Sequence, residues 1–506
     1  MKNIYYFLFI ALSCSFIKAQ APDIEWQKSL GGTFSEQYPD IQQTSDGGYI
    51  VAGSSSSHNG DVTGNHGSLD QWVVKLNSSG MIQWQKCLGG SSVERAYSVR
   101  QTADGGYIVA GSTESNNGDV TGNHGSSDYW VVKLDASGNL TWQKTLGGTG
   151  IDIAKSIRQT SDGGYIVSGR SSSVDGDITG NLGNSDYWVV KLSPTGNLQW
   201  QKSLGGEGPD EAASIEQTTD GGYIVAGTSW TSNTIIIGHG FGDYWVVKLD
   251  PTGNTQWQKS FGGSNTDNAC SVKQTSDGGY IVLGTSSSID GDITASNGND
   301  DYWVVKMDAL GNLQWQKSYG DDLYDRAFNI NTTSDGGYAV VGYSGTPAEG
   351  NPGSNDYWML KLKPNGDVDW HKKFGGLTDD TAMAVQQTSD GGYIISGYSD
   401  AITGTPGNYN YWIIKLGGKR LSTEENLISE KPHLYPNPAK ESFYLDNLPG
   451  EVTVHITDMS GRKLFNQKYN EKKVSISTNQ FINGVYVIQV QHQGKTILSD
   501  KLIIKK

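Results

Sequence analysis

The chain has 506 residues, of which 67 are glycine, 35% are hydrophobic and 18% are charged. This composition favours a folded, turn-rich all-β protein over helical modules and over disorder. The formal net charge is −15, and the acidic excess lies before residue 432, which argues against a protein that binds nucleic acid through phosphate contacts.

The N-terminal segment resembles an export signal in its charge and hydropathy. It has an early lysine, an apolar run from Ile4 to Ile17 and a small residue at Ala19. These features predict a signal peptide over residues 1–19, cut near Ala19. Cys14 allows a competing prediction of lipidation, but the residues before it form a poor lipobox. Beyond this segment no stretch approaches the roughly 18 apolar residues of a membrane-spanning helix, so we predict no transmembrane segment.

Most of the chain repeats one unit. Fourteen of the fifteen tryptophans fall into two series, WQK-type and YWVVKL-type, at Trp26, Trp84, Trp142, Trp200, Trp257, Trp315 and Trp370, and at Trp72, Trp130, Trp188, Trp245, Trp303, Trp358 and Trp412. Asp-Gly-Gly hairpin signals recur at intervals of 58, 58, 58, 57, 58 and 55 residues, at Asp46, Asp104, Asp162, Asp220, Asp277, Asp335 and Asp390. A period of this length is typical of a propeller blade.

Each unit predicts a four-stranded antiparallel sheet, for example from Tyr97–Thr102, Tyr107–Ser112, Tyr129–Leu134 and Leu140–Leu146. Because segments such as WVVKL are apolar on both faces, each sheet must be covered on both sides. We therefore predict a seven-bladed β-propeller over residues 20–416. Its first strand, Ile24–Leu30, would complete a last blade formed within Met383–Leu416 and so hide a free edge. A helical or solenoid array is the alternative.

The segment Lys133–Trp142 places an Asp and Gly turn before a tryptophan. This arrangement resembles quinoprotein-like and kelch-like propeller repeats. The resemblance implies the fold and not a cofactor, because quinone enzymes of that class carry vicinal cysteines and this chain has no adjacent cysteine pair. Cys87 and Cys270 lie far apart in sequence and predict no disulfide framework.

Residues 417–431 lose the repeat and are predicted to be a linker. The segments that follow are YPNPA near Pro436, SGR ending at Arg462, NGVYVIQV from Asn483 and KLIIKK at the C-terminus. Together they closely resemble the type A sorting domain of the type IX (Por) secretion system. The resemblance implies a small β-sandwich over 432–506 that interacts with the type IX machinery. It also implies export across the outer membrane, followed by release or attachment to the cell surface.

Seven carboxylates occupy equivalent places, in the loop predicted to enter each innermost strand: Glu36, Glu94, Asp152, Asp210, Asp267, Asp325 and Asp380. Such a ring can attract a cation. A residue required in every blade more often accepts hydrogen bonds from its own loop, so we predict a structural role.

The loops between the second and third strands contain candidate ligand-binding histidines, His66 and His124, at equivalent places in neighbouring repeats. Asp61, Thr63 and Asn65 resemble the oxygen ligands of a calcium loop, although position twelve of such a loop is Trp72 and not a bidentate acid. Calcium is therefore only weakly supported, and we predict no cofactor and no metal.

The fourth repeat differs most from the others in this loop. Its apolar and aromatic residues replace Ser, Asp and Gly, and the candidate ligand-binding residues are Trp230, Ile236, His239 and Phe241. Binding residues concentrate on loops carried by a rigid scaffold, so this loop is a candidate contact for sugar rings or for a protein. The alternative is that it folds over a neighbouring blade.

No zinc spacing, nucleophile elbow, P-loop or sialidase-like arginine triad is present, and no catalytic residue is predicted. Arg100 and Arg158 match in adjacent repeats but are replaced elsewhere by Gln42, Glu216, Lys273, Asn331 and Gln386. The sequence predicts a secreted or cell-surface binding or adhesion module whose ligand is a polysaccharide or a protein. A polysaccharide-acting enzyme with paired carboxylates at the channel mouth and a purely structural surface component remain as alternatives.

Overall fold

The computed structural model describes residues 20–233, 236–296, 298–348, 351–376, 378–400, 408–418, 432–458, 462–492 and 495–506. The predicted signal peptide, most of the predicted linker, and Ser460 and Gly461 of the sorting segment lie outside these residues. The chain divides into two compact units, residues 1–419 and 420–506. Within the described ranges no helix is long and apolar enough to cross a membrane.

The first unit consists of repeated four-stranded antiparallel sheets. Strand β1 (Ile24–Leu30) comes first. Six sheets of consecutive strands follow: β2 (Glu36–Gln43), β3 (Tyr49–Ser55), β4 (Asp70–Leu76) and β5 (Ile82–Leu88); β6 (Glu94–Gln101), β7 (Tyr107–Thr113), β8 (Asp128–Leu134) and β9 (Leu140–Leu146); β10 (Asp152–Gln159), β11 (Tyr165–Ser171), β12 (Asp186–Leu192) and β13 (Leu198–Leu204); β14 (Asp210–Gln217), β15 (Tyr223–Ser229), β16 (Asp243–Leu249) and β17 (Thr255–Phe261); β18 (Asp267–Gln274), β19 (Tyr280–Ser286), β20 (Asp301–Met307) and β21 (Leu313–Tyr319); β22 (Asp325–Thr332), β23 (Tyr338–Ala348), β24 (Asn351–Leu362) and β25 (Val368–Phe374).

A further sheet contains β26 (Asp380–Gln387), β27 (Tyr393–Ser399) and β28 (Asn410–Leu416), and β1 pairs antiparallel with β28. The strand that comes first in the chain therefore completes the sheet that comes last in this unit. The first strand of each sheet begins earlier than predicted. In the second sheet it starts at Glu94 and not at Tyr97, because Glu94 already pairs with Thr113 of β7.

One contact between a tyrosine and a tryptophan recurs where neighbouring sheets pack together. The hydroxyl of Tyr129 donates to the carbonyl of Trp188 in the next sheet at 2.9 Å, and the two ring centroids are 4.5 Å apart. The same contact recurs from Tyr187, Tyr244, Tyr302 and Tyr357. The second and third strands are consequently buried on both faces, as their apolar sequences predict.

The Asp-Gly-Gly turns are held by an ion pair from the third strand. In the second sheet Lys133 Nζ lies 2.9 Å from Asp104 Oδ2, and Gly105 takes a φ of 82° that a side chain would disfavour. Burial opposes ionisation of Asp104, but hydrogen bonds from Thr102 and Lys133 lower its pKa to about 2. Equivalent lysines pair with the aspartates of the other turns, at Asp46, Asp162, Asp220, Asp277, Asp335 and Asp390.

The first strand of each sheet carries a β-bulge. In β6, Ala96 pairs with Gly111 and Ser98 pairs with Ala110, so Tyr97 between them has no partner in β7. We call this unpaired residue the bulge position. It is occupied in later sheets by Lys155, Ala213, Cys270, Phe328 and Met383. In β2 the irregularity spans Tyr38 and Pro39, and Tyr38 has a φ of 58°. Bulges re-aim side chains out of the regular pleat.

The second unit contains β29 (His433–Tyr435), β30 (Ser442–Asp446), β31 (Val452–Asp458), β32 (Lys463–Tyr469), β33 (Val474–Ser477), β34 (Gly484–His492) and β35 (Lys495–Ile504). They form a three-stranded sheet ordered β29-β30-β33 and a four-stranded sheet ordered β32-β31-β34-β35. Phe443 and Ile476 from the smaller sheet share one hydrophobic core with Ile456, Ile488 and Leu502 from the larger sheet. Two sheets around one core agree with the small sandwich implied by the sequence.

Candidate binding site

The bulge positions converge on a cavity of about 400 Å³, which we call the bulge cavity. Its lining includes Tyr97, Lys155, Cys270, Phe328 and Met383 from the bulges, together with Tyr38 of β2 and Trp230. A volume of this size falls within the range of small-ligand pockets.

The wall of the bulge cavity is partly aromatic. The rings of Tyr38 and Tyr97 are 5.8 Å apart, and Lys155 Nζ lies 4.2 Å from the centroid of Tyr97. Lys155 also lies 3.7 Å from Glu211. Phe328 and Trp230, the latter with 38% of its surface exposed, bring the aromatic side chains of this lining to four.

A second, polar cavity of about 210 Å³ adjoins the first, and we call it the charged cavity. It lies among the residues three positions after the bulges, which include Arg100, Arg158, Glu216 and Lys273. Asp40, Arg100 and Arg158 line both cavities, so the two spaces meet at these side chains.

Charge is distributed unevenly in the charged cavity. Arg100 pairs with Asp40 at 2.5 Å and Lys273 pairs with Glu216 at 2.5 Å, whereas Arg158 stands 3.9 Å from Glu216. Burial and the neighbouring Arg100 lower the pKa of Arg158 to about 10. Burial lowers the pKa of Lys273 to about 8, against the opposing effect of Glu216. Burial acts to raise the pKa of Glu216, but Lys273 and Arg158 together hold it below its usual value.

The seven sequence-predicted carboxylates lie elsewhere. Each is the first residue of its strand rather than part of the preceding loop, and each is fully buried. Glu94 accepts hydrogen bonds from Gly90 N at 2.8 Å and from Thr113 Oγ1 at 2.7 Å. Its Oε2 faces the same glycine, Gly89, as Oδ1 of Asp70 from the adjacent sheet. These acids are therefore held inside sheet junctions and do not form an open ring.

The predicted loop histidines each contact the aspartate that begins the following strand. His66 Nδ1 lies 2.8 Å from Asp70 Oδ2, and His124 Nδ1 lies 2.8 Å from Asp128 Oδ2. Asn65, a candidate calcium ligand, instead donates to the carbonyls of Ser55 and Ser57. In the described part of the chain, no group of three or more His, Cys, Asp or Glu residues is arranged to hold a metal ion.

The loop of the fourth repeat separates into residues with different surroundings. Trp230 lines the bulge cavity. Ile236 is only 2% exposed and packs in the core with Val225 and Val247, so it is not a surface contact. The backbone N–H of His239 donates to Asp243 Oδ2 at 2.6 Å. Phe241 is 74% exposed and lines a separate surface groove. Ile235 lies outside the described residues.

Sequence reasoning named Trp230 but missed the bulge residues, although a signal was present. In β6, β10, β14, β18, β22 and β26 the residue before the bulge is always alanine, at Ala96, Ala154, Ala212, Ala269, Ala327 and Ala382, and it is buried. The next residue differs in every sheet. The alanine is the same in all six repeats and the residue after it is not. This contrast indicates that the fold requires the alanine but does not restrict the side chain at the bulge position.

Residues 433–505 match the family model of the secretion system C-terminal sorting domain. The predicted type IX sorting domain is thereby confirmed, and this tail indicates export to the cell surface or the extracellular space. Among curated proteins, regulatory protein FlaEY of Caulobacter vibrioides is 29% identical over 184 residues, which cover 33% of this chain and 18% of that protein. The chain thus spans less than a fifth of that relative's length.

Several solved structures show distant likeness. PorZ, a surface component of the type-IX secretion system of Porphyromonas gingivalis, is 11% identical, with 96% of this chain and 75% of PorZ covered and a TM-score of 0.33. A fungal alcohol oxidase of the AA5 family is 13% identical, with 96% of this chain and 100% of the oxidase covered and a TM-score of 0.44. At these TM-scores neither likeness says anything about the function of this chain.

Proposed function

We propose that this chain is exported by the type IX machinery and acts outside the cell as a binding module, with a saccharide held in the bulge cavity. One observation carries the proposal: a nearly invariant scaffold presents a different residue at the bulge position of six sheets, and these residues converge on one cavity. Fixed scaffolds with variable convergent side chains are typical of ligand recognition.

The proposal includes a closed, seven-bladed propeller. Three contacts between the beginning and the end of the first unit support closure. Strand β1 pairs with β28, the ring of Tyr411 lies 4.9 Å from that of Trp72, and Ser389 N donates to Gln43 Oε1 at 2.8 Å. Strand β27 also packs against β2, as the second strand of each sheet packs against the first strand of the next.

A saccharide fits the chemistry of the cavity better than a folded protein does. About 400 Å³ accommodates a few sugar rings but no structured protein segment of ordinary interface size. Tyr97, Phe328 and Trp230 offer aromatic surfaces against which the apolar face of a sugar packs, while Lys155 and Arg158 offer hydrogen-bond donors for its oxygens.

The carboxylates beside the cavity favour binding over glycoside hydrolysis. A hydrolytic acid needs a raised pKa so that it holds its proton at neutral pH. Glu216 has a lowered pKa because of Lys273 and Arg158, which outweigh its burial. The other two carboxylates each lie beside a cation, Asp40 beside Arg100 at 2.5 Å and Glu211 beside Lys155 at 3.7 Å.

A screen of the full-length chain against a glycan array and soluble polysaccharides tests this function, with reducing-sugar release assayed on every hit. We expect saturable binding without release. Release of reducing ends would favour the enzyme, and binding to neither kind of saccharide would contradict the proposed function and redirect attention to a protein partner or a structural role.

Trp230→Ala removes one aromatic wall of the bulge cavity. We expect binding of a glycan hit to weaken about tenfold because of the lost stacking area. Phe241→Ala is the matched control, since Phe241 lies on the same loop but outside the cavity. Equal losses in the two variants, measured by titration calorimetry, would instead indicate that the exposed loop is the contact surface.

A further inference from the structure

The two adjoining cavities contain one cation more than they contain anions. Four cations line them, Arg100, Lys155, Arg158 and Lys273, against three anions, Asp40, Glu211 and Glu216. This local excess is opposite in sign to the charge of the chain, which is −15. A positive cavity in an acidic protein attracts an anion while the outer surface repels it.

The contacts identify which cation is in excess. Asp40 pairs with Arg100 at 2.5 Å, and Glu216 pairs with Lys273 at 2.5 Å and accepts a further hydrogen bond from the N–H of Gln274. Lys155 lies 3.7 Å from Glu211. The nearest cation to each of the three anions is thus one other than Arg158.

Arg158 itself is incompletely matched. Among the described residues its guanidinium donates one hydrogen bond, from Nη1 to the carbonyl of Ile157 at 2.7 Å. The distance of 3.9 Å from its Nε to Glu216 Oε1 is beyond hydrogen-bond range. A guanidinium carries five N–H donors in a planar fork, and its most favourable partner is a carboxylate bound through two oxygens.

The position of Arg158 connects it with the aromatic wall. It lines the bulge cavity as well as the charged cavity, so a ligand group in the first space reaches it directly. Its side chain is only 16% exposed, which limits competition from water. Burial and the like charge of Arg100 lower the pKa of Arg158, as expected where positive charge is crowded.

We propose that the ligand of the bulge cavity is an acidic saccharide whose carboxylate binds the guanidinium of Arg158. This inference rests on the proposed function and narrows it to uronic-acid-type sugars. The aromatic wall holds the sugar ring, and Arg158 supplies the selectivity for its charged group.

Calorimetric titration of the full-length chain with oligogalacturonate and with the same oligosaccharide methyl-esterified isolates the carboxylate. We expect the acid form to bind at least roughly tenfold more tightly, because charge-assisted hydrogen bonds are stronger than neutral ones. We also expect this preference to decrease with added salt. Alginate oligomers extend the test to uronates of different ring geometry, and sulfated oligosaccharides provide a non-planar anion.

Two substitutions test the assignment to Arg158. In Arg158→Met the preference for the acid form should disappear while the ester still binds, and Arg158→Lys should keep part of the preference because the charge remains without the fork. Arg326→Met is the matched control, since Arg326 lies on a first strand but outside both cavities and should leave the preference unchanged. Circular dichroism and the Tm establish that each variant is folded.

The outcomes separate this inference from the function on which it rests. Equal binding of acid and ester forms, binding of sulfated sugars alone, or an unchanged preference in Arg158→Met would overturn the inference and leave saccharide binding standing. Absence of binding to every saccharide, charged or neutral, would contradict the proposed function itself.

Discussion

At the residue scale, the most unusual groups are the buried acids that meet at the sheet junctions. Asp186 of one sheet and Asp210 of the next both direct an oxygen at Gly205, where an added Cβ would overlap them. Asp186 Oδ1 has no hydrogen-bond partner among the described residues. Where the last sheet meets the first, Asn410 takes the place of the aspartate and faces Glu36. The neutral amide of Asn410 indicates that the buried acid facing it, Glu36, can pack against an uncharged side chain at this junction.

These acids predict an unusual dependence of stability on pH. Burial raises the pKa of Asp186, Asp325 and Asp380 to about 6, whereas an aspartate in an unfolded chain titrates at about 3.9. Their stabilising contribution is complete below about pH 4 and is lost as the pH rises through 6. The turn aspartates, such as Asp104 and Asp162, have pKa values of about 2 and act oppositely, losing their contribution as the pH falls from 4 to 2. We expect the highest Tm near pH 4 to 5, measured by calorimetry from pH 2 to 8.

The variant Asp186→Asn serves as the control for this pH profile. It copies the junction that already contains Asn410 and removes one titrating group. Its Tm should exceed that of the unmodified chain at pH 7.5 and match it near pH 4. A Tm of the unmodified chain that rises steadily to pH 8 would show that the junction acids are ionised without cost.

At the element scale, the bulged first strand depends on the glycine opposite it. In the third sheet Gly169 of β11 faces the carbonyl of Ile153 so closely that an added Cβ would overlap this backbone oxygen. The bulge brings this carbonyl toward β11, because Ala154 and Ser156 pair with consecutive residues while Lys155 between them is unpaired. The glycine therefore permits the bulge that directs Lys155 into the cavity.

Gly169→Ala should destabilise the first unit by about 2 kcal/mol or more, because a backbone oxygen cannot move aside as a side chain does. Gly376→Ala is the matched control, since no other residue of the described ranges lies within 4 Å of its added Cβ. Urea unfolding followed by tryptophan fluorescence measures the difference. Unfolding of both variants at the same urea concentration would contradict the proposed steric role.

Regular elements could be predicted from the sequence, and long-range junctions could not. The strand Leu140–Leu146 has the predicted bounds because hairpin glycines and alternating apolar residues are local signals. The facing of Asp70 and Glu94 from different sheets depends on how two sheets pack, which no local pattern encodes. Ile236 is an intermediate case. Its equivalents Val62 and Val120 are also buried, so alignment of the repeats would have assigned it to the core.

At the scale of the whole first unit, pairing of β1 with β28 joins residues almost 400 positions apart. Trp26 and Leu30 of β1 pack in the core that contains Tyr411 and Trp72. Without β1, strand β28 would present an unpaired edge, which is a template for aggregation.

Deletion of residues 22–31 tests this pairing. Loss of the burial of Leu30 and Trp26 alone costs about 5 kcal/mol, and we expect a much lower Tm together with soluble aggregates. Deletion of 432–506 is the control, because these residues belong to the other compact unit, and it should leave the unfolding transition of the repeats in place. Light scattering and calorimetry record both results. A deleted chain that stays monomeric with an unchanged Tm would exclude closure by β1.

The bulge also affects how the binding specificity of such a protein can be changed. Because the bulge residue has no partner in the neighbouring strand, replacing its side chain leaves the paired residues on either side of it in place. The six bulge positions, from Tyr97 to Met383, therefore offer protein engineers a compact set of sites at which binding residues can be changed while the surrounding strands are kept.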